Sequence, residues 1–476
     1  MPRPATAVDG PSVYQIRGDI PAVSPIAFLR LGEGGPRGFW ASGDRWVAHA
    51  GVLREVAVRE DTARPEETAG DLDRPGEGVD RARFRSVQLE ATRVFGGIDP
   101  NGARARIFGG FAFASRPSTD RVWSPFPPAL FHLPEAEVEH DPSAGTCSLV
   151  VHAASRRAAE QSWERWSDAL TRSLATVPSG RAGGAMADGS APERVAGVDR
   201  AAWSRMIWRT LRRIRAGDAD KVVLARALDV TPPRPVAPLD LARALWEESH
   251  GSHVFLFEPV GGAAVVGAAP ETMAAMVNGI VRATAVAGSV GVGADSVETA
   301  QLARKLFESE KDRAEHDFVV QDMVARLSAL GCAVERDIEP HVLALARIQH
   351  LETKIAAKVP PGVTLLEILA SLHPTPAVCG IPRNVALSFL TEGEEFDRGW
   401  YAGPVGWLAS DGKGIFVPAL RSAVCDGSRW RLFAGAGIVP GSDPALEWAE
   451  TELKFDPVLR AVARAEVAGS AAAGLG

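Results

Sequence analysis

The stretch HVFLFEPVGGAAVVGAAPETM, residues 253–273, decides the fold. Two apolar runs of strand length flank Gly261 and Gly262, and a two-glycine turn between such runs predicts an antiparallel hairpin. Upstream, KVVLARALDV (221–230) reads as a strand. Ahead of it, Asp199 can cap a helix whose Trp203, Ile207, Leu211 and Ile214 share one face and which Gly217 ends. Downstream, SEKDRAEHDFVVQDMVARLSAL (309–330) reads as a helix, and YAGPVGWLA (401–409), GIFVPALRSAVC (414–425) and RWRLFAGAGIV (429–439) as strands. DPALEWAETELKFDPVLRAVARA (443–465) reads as a final helix. Strand pairs on short turns, with long helices between groups of them, predict an α+β fold of antiparallel β-sheets flanked by helices, not a βαβ doubly wound one.

Residues 54–83 are rich in Glu, Asp, Arg, Gly and Pro and are expected to form a mobile loop, because they have little apolar surface to offset the entropy of ordering. Residues 178–197 are dominated by small residues and read as a flexible linker. They divide the chain into an N-terminal scaffold half, 1–197, and a half that carries chemistry, 198–476, both expected within one compact domain. In the first half, WVAHAGV (46–52), RIFGGFAFA (106–114) and CSLVVHAA (147–154) look like strands, and residues 158–177 space Trp163, Trp166, Leu170 and Leu174 as a helix does.

The 476 residues carry 52 Lys and Arg against 59 Asp and Glu, a net charge of -7. That balance gives no basic footprint for nucleic acid or anionic lipid. The four cysteines, Cys147, Cys332, Cys379 and Cys425, are widely spaced and form no zinc-like cluster, so a reduced compartment is expected. No run of about 18 apolar residues and no secretory signal is evident, and the expectation is a cytoplasmic protein with no membrane partner.

Three patterns point to chemistry. On the final helix Asp443 can act as N-cap with Pro444 at the first position, and Glu447, Glu450 and Lys454 then fall on one face. A second helix places Glu315 one turn before Val319 among apolar residues. Two acidic helix faces with few other ligands suit Mg²⁺, which takes one or two carboxylates plus water and substrate oxygens; a solvated ion-pair face is the plain alternative. The turn in RLFAGAGIVPGSDP (431–444) joins a strand to a helix start, lets backbone amides approach an anion, and lacks both P-loop and dinucleotide spacing, so a carboxylate is the expected ligand, with a tight turn needing positive φ as the equal alternative. Finally, Lys221 begins an apolar strand and Glu271 ends the hairpin. Together they suit a base and an acid, because desolvation favours the neutral amine and the protonated carboxyl; separately each reads as a surface or turn residue. Arg226, an odd number of residues along the strand from Lys221, falls on its other face.

KVVLARAL, GAAPE, AGS, SEKDRAEH, QHLETK, HPTPAVCGIPR, YAGPVGW, LFAGAGIVPGSDP and EWAETELKF occur in this order between Lys221 and Phe455, about half the chain. The series resembles the chorismate-utilising enzymes, and among them isochorismate synthase most. The resemblance implies a large single α+β domain of antiparallel β-sheets flanked by helices with a deep Mg²⁺-dependent site acting on chorismate, with no organic cofactor and no glutaminase subunit, in a chain expected to be monomeric. It implies that Lys221 activates water for attack at C2 of the ring and that Glu271 protonates the departing C4 hydroxyl. Glu315 and Glu450 match the metal carboxylates, with Glu447 acting through water, and the metal would hold the ring carboxylate. Tyr401, Arg421 and the Gly435 amide match the grip on the enolpyruvyl carboxylate. Ser289, His350, Ala377 and Lys454 match further pocket positions. The lysine argues for water rather than ammonia as nucleophile. Salicylate synthase, which shares the lysine and goes on to eliminate pyruvate, is the second reading, and a subunit that needs a glutaminase to deliver ammonia is the third. Two positions depart from the family pattern: Cys379 stands where a small residue is expected, and VGVGAD (290–295) lacks a basic residue.

Overall fold

The computed structural model describes residues 12–59, 77–99, 104–143, 145–176, 192–427 and 429–473. Two antiparallel sheets of 12 and 10 strands dominate them. The hairpin 253–273 sits at the centre of the first sheet as His253–Val260 and Ala263–Ala269, with Val260 paired to Ala263 across the glycine turn. On one side of it lie Arg37–Ser42, Arg45–Ala50, Ala136–Asp141, Thr146–Ala153 and Tyr14–Ile20. On the other lie Ser422–Asp426, Trp430–Ile438, Lys221–Thr231 and Gly380–Ile381. The second sheet likewise mixes early strands, such as Arg106–Phe111 and Ala129–Leu133, with late ones, such as Ile280–Gly291 and Ile348–Lys358.

The sheets pack face to face through Phe108, Leu130, Val405 and Val417 against Phe255, Phe257 and Val265. Helices cover their outer faces. Pro444–Ala473 buries Phe455, Val458, Ala461 and Val462 in the core of the first sheet. Glu310–Ala329 buries Val319, Val320, Met323 and Leu327 against the second. The local signals work as expected from their chemistry. Asp199 accepts from the Ala202 amide at the start of Arg200–Arg215, Gly217 follows in the left-handed region, and Trp203, Ile207, Leu211 and Ile214 are buried. The α+β expectation of antiparallel sheets flanked by helices therefore holds. Among the described residues no helix is long and apolar enough to cross a membrane.

Three sequence expectations need correction. The proposed loop 54–83 begins with a strand, Arg54–Val58, paired to Ala129–Leu133, and ends inside the helix Glu77–Gly96, which buries Phe84, Val87 and Ala91; residues 60–76 lie outside the described residues. Its polar composition concealed a half-buried strand whose Val56 and Val58 are buried in one core cluster while Ala57 packs against another. The linker 178–197 similarly ends in the exposed strand Glu193–Gly197, paired to Lys221–Thr231, while 177–191 lie outside the described residues. Finally, GIFVPALRSAVC is not one strand. Gly414–Pro418 belongs to the second sheet and Ser422–Asp426 to the first, and the chain changes sheets between them with Arg421 at φ 46°. Both halves are apolar enough to read as one run, because each is buried.

Candidate active site

Arg421, at the crossover, lines a cavity walled by strands of both sheets. Ten of the twelve residues singled out from the sequence line it: Glu271, Ser289, Glu315, His350, Ala377, Tyr401, Arg421, Gly435, Glu450 and Lys454. Lys221 and Glu447 stand behind the wall. Lys221 is fully buried, and its Nζ lies 3.0 Å from Glu315 Oε1 without the geometry of a directed hydrogen bond. Gly437, on the neighbouring strand and part of the cavity wall, makes room for this pair. A Cβ there would collide with Glu315 Oε1 and stand 3.0 Å from Lys221 Cε.

Glu271 follows Pro270 at the end of the hairpin and is 6% exposed. Burial pushes its carboxyl up to about 8, against the pull of Lys221, Lys454 and Arg421. It is therefore protonated at neutral pH, the state a general acid needs.

The crossover residue Arg421 is buried and donates from Nη2 to His350 Nε2 at 3.0 Å, while its Nη1 has no protein partner. His350 Nδ1 lies 3.1 Å from the Gly288 carbonyl and 3.0 Å from Ser289 Oγ. A ring nitrogen that accepts from a guanidinium cannot carry a proton, so the network assigns the neutral Nδ1–H form. Burial, with Arg421 and Lys454 beside it, pushes His350 down to about 3, in agreement with that form. The neutral ring leaves Arg421 as a net cation facing the cavity. Tyr401 is stacked on Phe433 at 4.9 Å, and burial raises its phenol to about 12, so it remains a hydrogen-bond donor. A Cβ at Gly435 would stand 3.2 Å from the Tyr401 hydroxyl and 3.1 Å from the Leu224 carbonyl. Together Arg421 Nη1, Tyr401 and the glycine-rich strand make one end of the cavity a site for a carboxylate.

The opposite end is acidic. Glu315 comes from the helix Glu310–Ala329, and Glu447 and Glu450 come from Pro444–Ala473, whose Asp443 caps the amides of Ala445 and Leu446. Each carboxylate meets a lysine: Glu315 meets Lys221, Glu447 meets Lys311 at 2.7 Å, and Glu450 meets Lys454 at 2.6 Å. Lys454 also donates to the Gly435 carbonyl at 2.7 Å, so one residue ties the acidic helix to the glycine-rich strand. Burial and the charge of Glu450 push Glu447 up to about 7. Against burial, Lys454 and Lys311 hold Glu450 below the usual carboxylate range.

Among the described residues no three acidic, histidine or cysteine groups converge into a complete metal cage. The donor set still fits Mg²⁺, which needs few carboxylates and completes its shell with water and substrate oxygens. Glu315 and Glu450, both lining the cavity, offer hard oxygen ligands from two facing helices. Lys311, which anchors Glu447, was not singled out from the sequence. The signal was present: it lies one turn before Glu315 on the same helix face.

Residues 5–463 match a family model described as chorismate binding enzyme. The chain is 38% identical over 285 residues to the salicylate biosynthesis isochorismate synthase of Pseudomonas aeruginosa, covering 60% of this chain and 58% of that protein. It is 35% identical over 266 residues to the isochorismate synthase MenF of Bacillus subtilis, covering 56% of each. The matches thus span little more than half the length of these relatives. Among solved structures, MenF, the menaquinone-specific isochorismate synthase from Escherichia coli, superimposes with a TM-score of 0.75 at 26% identity, covering 95% of both chains. The extent of the family match, together with this fold, places the chain in the chorismate binding enzyme family.

Proposed function

We propose that this chain is an isochorismate synthase, converting chorismate to isochorismate without a glutaminase subunit and feeding menaquinone or siderophore biosynthesis. The observation that carries the reading is the buried Glu271 on the cavity wall, its carboxyl pushed up by burial, with Lys221 behind the same wall beside Gly437. Arg421, Tyr401 and the Gly435 amide bind the enolpyruvyl carboxylate at one end. Glu315 and Glu450, with Glu447 behind them, would hold Mg²⁺ at the other end, and the ion would supply positive charge to neutralise the ring carboxylate.

Lys221 takes a proton from water whose oxygen bonds to C2. The ring double bonds shift, the C4–O bond breaks, and Glu271 gives its proton to the leaving hydroxyl, which departs as water. One water enters and one leaves, so the reaction is an isomerisation, and protons exchanged with solvent reset the two residues. Holding base, acid and ring in fixed relation supplies the proximity term.

Incubating the purified chain with chorismate and Mg²⁺, without glutamine or ammonium, should give isochorismate by chromatography. EDTA should stop the reaction and Mg²⁺ restore it. Stoichiometric salicylate and pyruvate would replace the reading with salicylate synthase. Strict dependence on ammonium would remove water as nucleophile.

A further inference from the structure

Beyond the cavity wall lies a buried ion pair to which nothing above gives a role. Glu394 ends the helix Arg383–Gly393, and Arg398 lies one turn on; both side chains are 4% exposed. Arg398 Nε and Nη2 grip the two Glu394 oxygens at 2.7 and 2.5 Å. The remaining donors go to backbone: Nη2 to the Val223 carbonyl and Nη1 to the Val378 carbonyl, each at 2.8 Å. Glu394 Oε1 in turn accepts from the Ala225 amide at 2.9 Å, and the Arg398 carbonyl accepts from the Tyr401 amide at 2.8 Å. The guanidinium lies 4.4 Å from the Phe113 ring centre and 5.8 Å from that of Tyr401.

The reason for this arrangement is in the sheet. On one edge the strand Lys221–Thr231 pairs with Trp430–Ile438 along nearly its whole length. On the other edge Gly380–Ile381 covers only Lys221 and Val222, and Glu193–Gly197 covers only Leu228 to Thr231. The gap between them would leave buried backbone groups unpaired, which is costly. Val223 N reaches the Cys379 carbonyl, and the ion pair satisfies two more groups, its guanidinium donating to the Val223 carbonyl and its carboxylate accepting from the Ala225 amide. It thereby stands in for a missing piece of strand. An apolar pair could fill the space but could not make these bonds, and a buried ion pair is not in itself a stabilising choice.

We propose that Arg398 and Glu394 are positioning residues. They lock the strand that begins with Lys221, the wall segment at Ala377 and Val378, and Tyr401 into one register, so that base and carboxylate grip face the same ring. Val223, Val378 and Tyr401, the three elements joined, all line the cavity. The inference rests on the roles given above to Lys221 and Tyr401.

The test compares Arg398→Lys with Lys221→Gln, each checked for folding by near-ultraviolet circular dichroism. Lysine keeps the charge beside Glu394 but cannot reach both carbonyls and the carboxylate with fixed fork geometry. Folded Arg398→Lys should lose at least tenfold in kcat while the KM for chorismate changes less than threefold, because substrate still binds but the base is displaced. A merely structural role would lower the melting temperature and leave kcat per folded molecule unchanged, which would overturn the proposal. Should Arg398→Lys fail to fold, Glu394→Gln, which keeps an acceptor for the Ala225 amide, is read by the same criterion. Loss in the Arg398 variant with a normal rate in Lys221→Gln would sink the base assignment and leave the positioning role standing. A normal Arg398 variant beside an inactive Lys221→Gln would do the reverse.

Discussion

Two regions of this molecule bury charge, and they bury it differently. Between the sheets, away from the cavity, Arg106 starts a strand of the second sheet and reaches across to Glu137 and Glu139 on the first. Its Nε donates to Glu137 at 2.8 Å, Nη1 and Nη2 donate to Glu139 at 3.2 and 2.7 Å, and Nη2 also contacts Glu137. Burial opposes the charge, but the two carboxylates outweigh it and hold the guanidinium more firmly protonated than usual. Nearby His49, His132 and His152 are driven neutral by burial, to about 3, 4 and 4. At the cavity, by contrast, Arg421 Nη1 on the wall and Lys221 Nζ behind it lack directed partners, and Glu271 is pushed to about 8. Burial is common to both regions. What separates them is the open space that Glu271 and Arg421 line, together with a titration brought near neutral pH, and these suit a group for proton transfer.

The largest effect should come from the cavity. Lys221→Gln and Glu271→Gln should each lower kcat about 10³- to 10⁴-fold, the range of general acid–base catalysis, while calorimetry still detects chorismate binding. A loss expressed only in affinity would move either residue from chemistry to binding. The other region should answer in the opposite way. Arg106→Met leaves Glu137 buried without its partner and should cost about 3–5 kcal/mol of stability in urea melting, with kcat per folded molecule unchanged. A fall in kcat at constant folded fraction would show that the two regions are coupled.

A smaller effect sharpens the contrast by pH. Glu271 works in its protonated form and its pKa is raised by burial, so the form that donates is present below about pH 8 and is lost as pH rises through that value. The kcat/KM profile should therefore fall on the alkaline side, approaching tenfold per pH unit. A fall beginning near pH 5 would mean that the cavity does not desolvate this carboxyl. The smallest effect belongs to the surface. Arg313 pairs with Glu339 at 2.9 Å with both side chains well exposed. Arg313→Ala should change stability by less than about 1 kcal/mol, since exposed pairs are screened, and should leave turnover untouched. A larger shift in either quantity would show that exposure alone does not make a charge dispensable here.

What the sequence determined by itself is what neighbouring residues control. The glycine turn of the hairpin, the caps at Asp199 and Asp443, and the helical spacing of Glu447, Glu450 and Lys454 depend on bonds within a few residues, so they were legible and formed as expected. The motif residues converged on one cavity because their order along the chain carries the resemblance. The tertiary structure decided the rest. Arg54–Val58 is a strand only because Ala129–Leu133 pairs with it. The run 414–425 divides because two sheets, not one, receive it, and that division aims Arg421 into the cavity. Lys311 meets Glu447 across 136 residues, and Arg398 meets Val223 across 175. Desolvation and ion pairing depend on what approaches from distant parts of the chain, so a sequence can show which residues are able to hold a charge or a proton, and only packing determines which state they are held in.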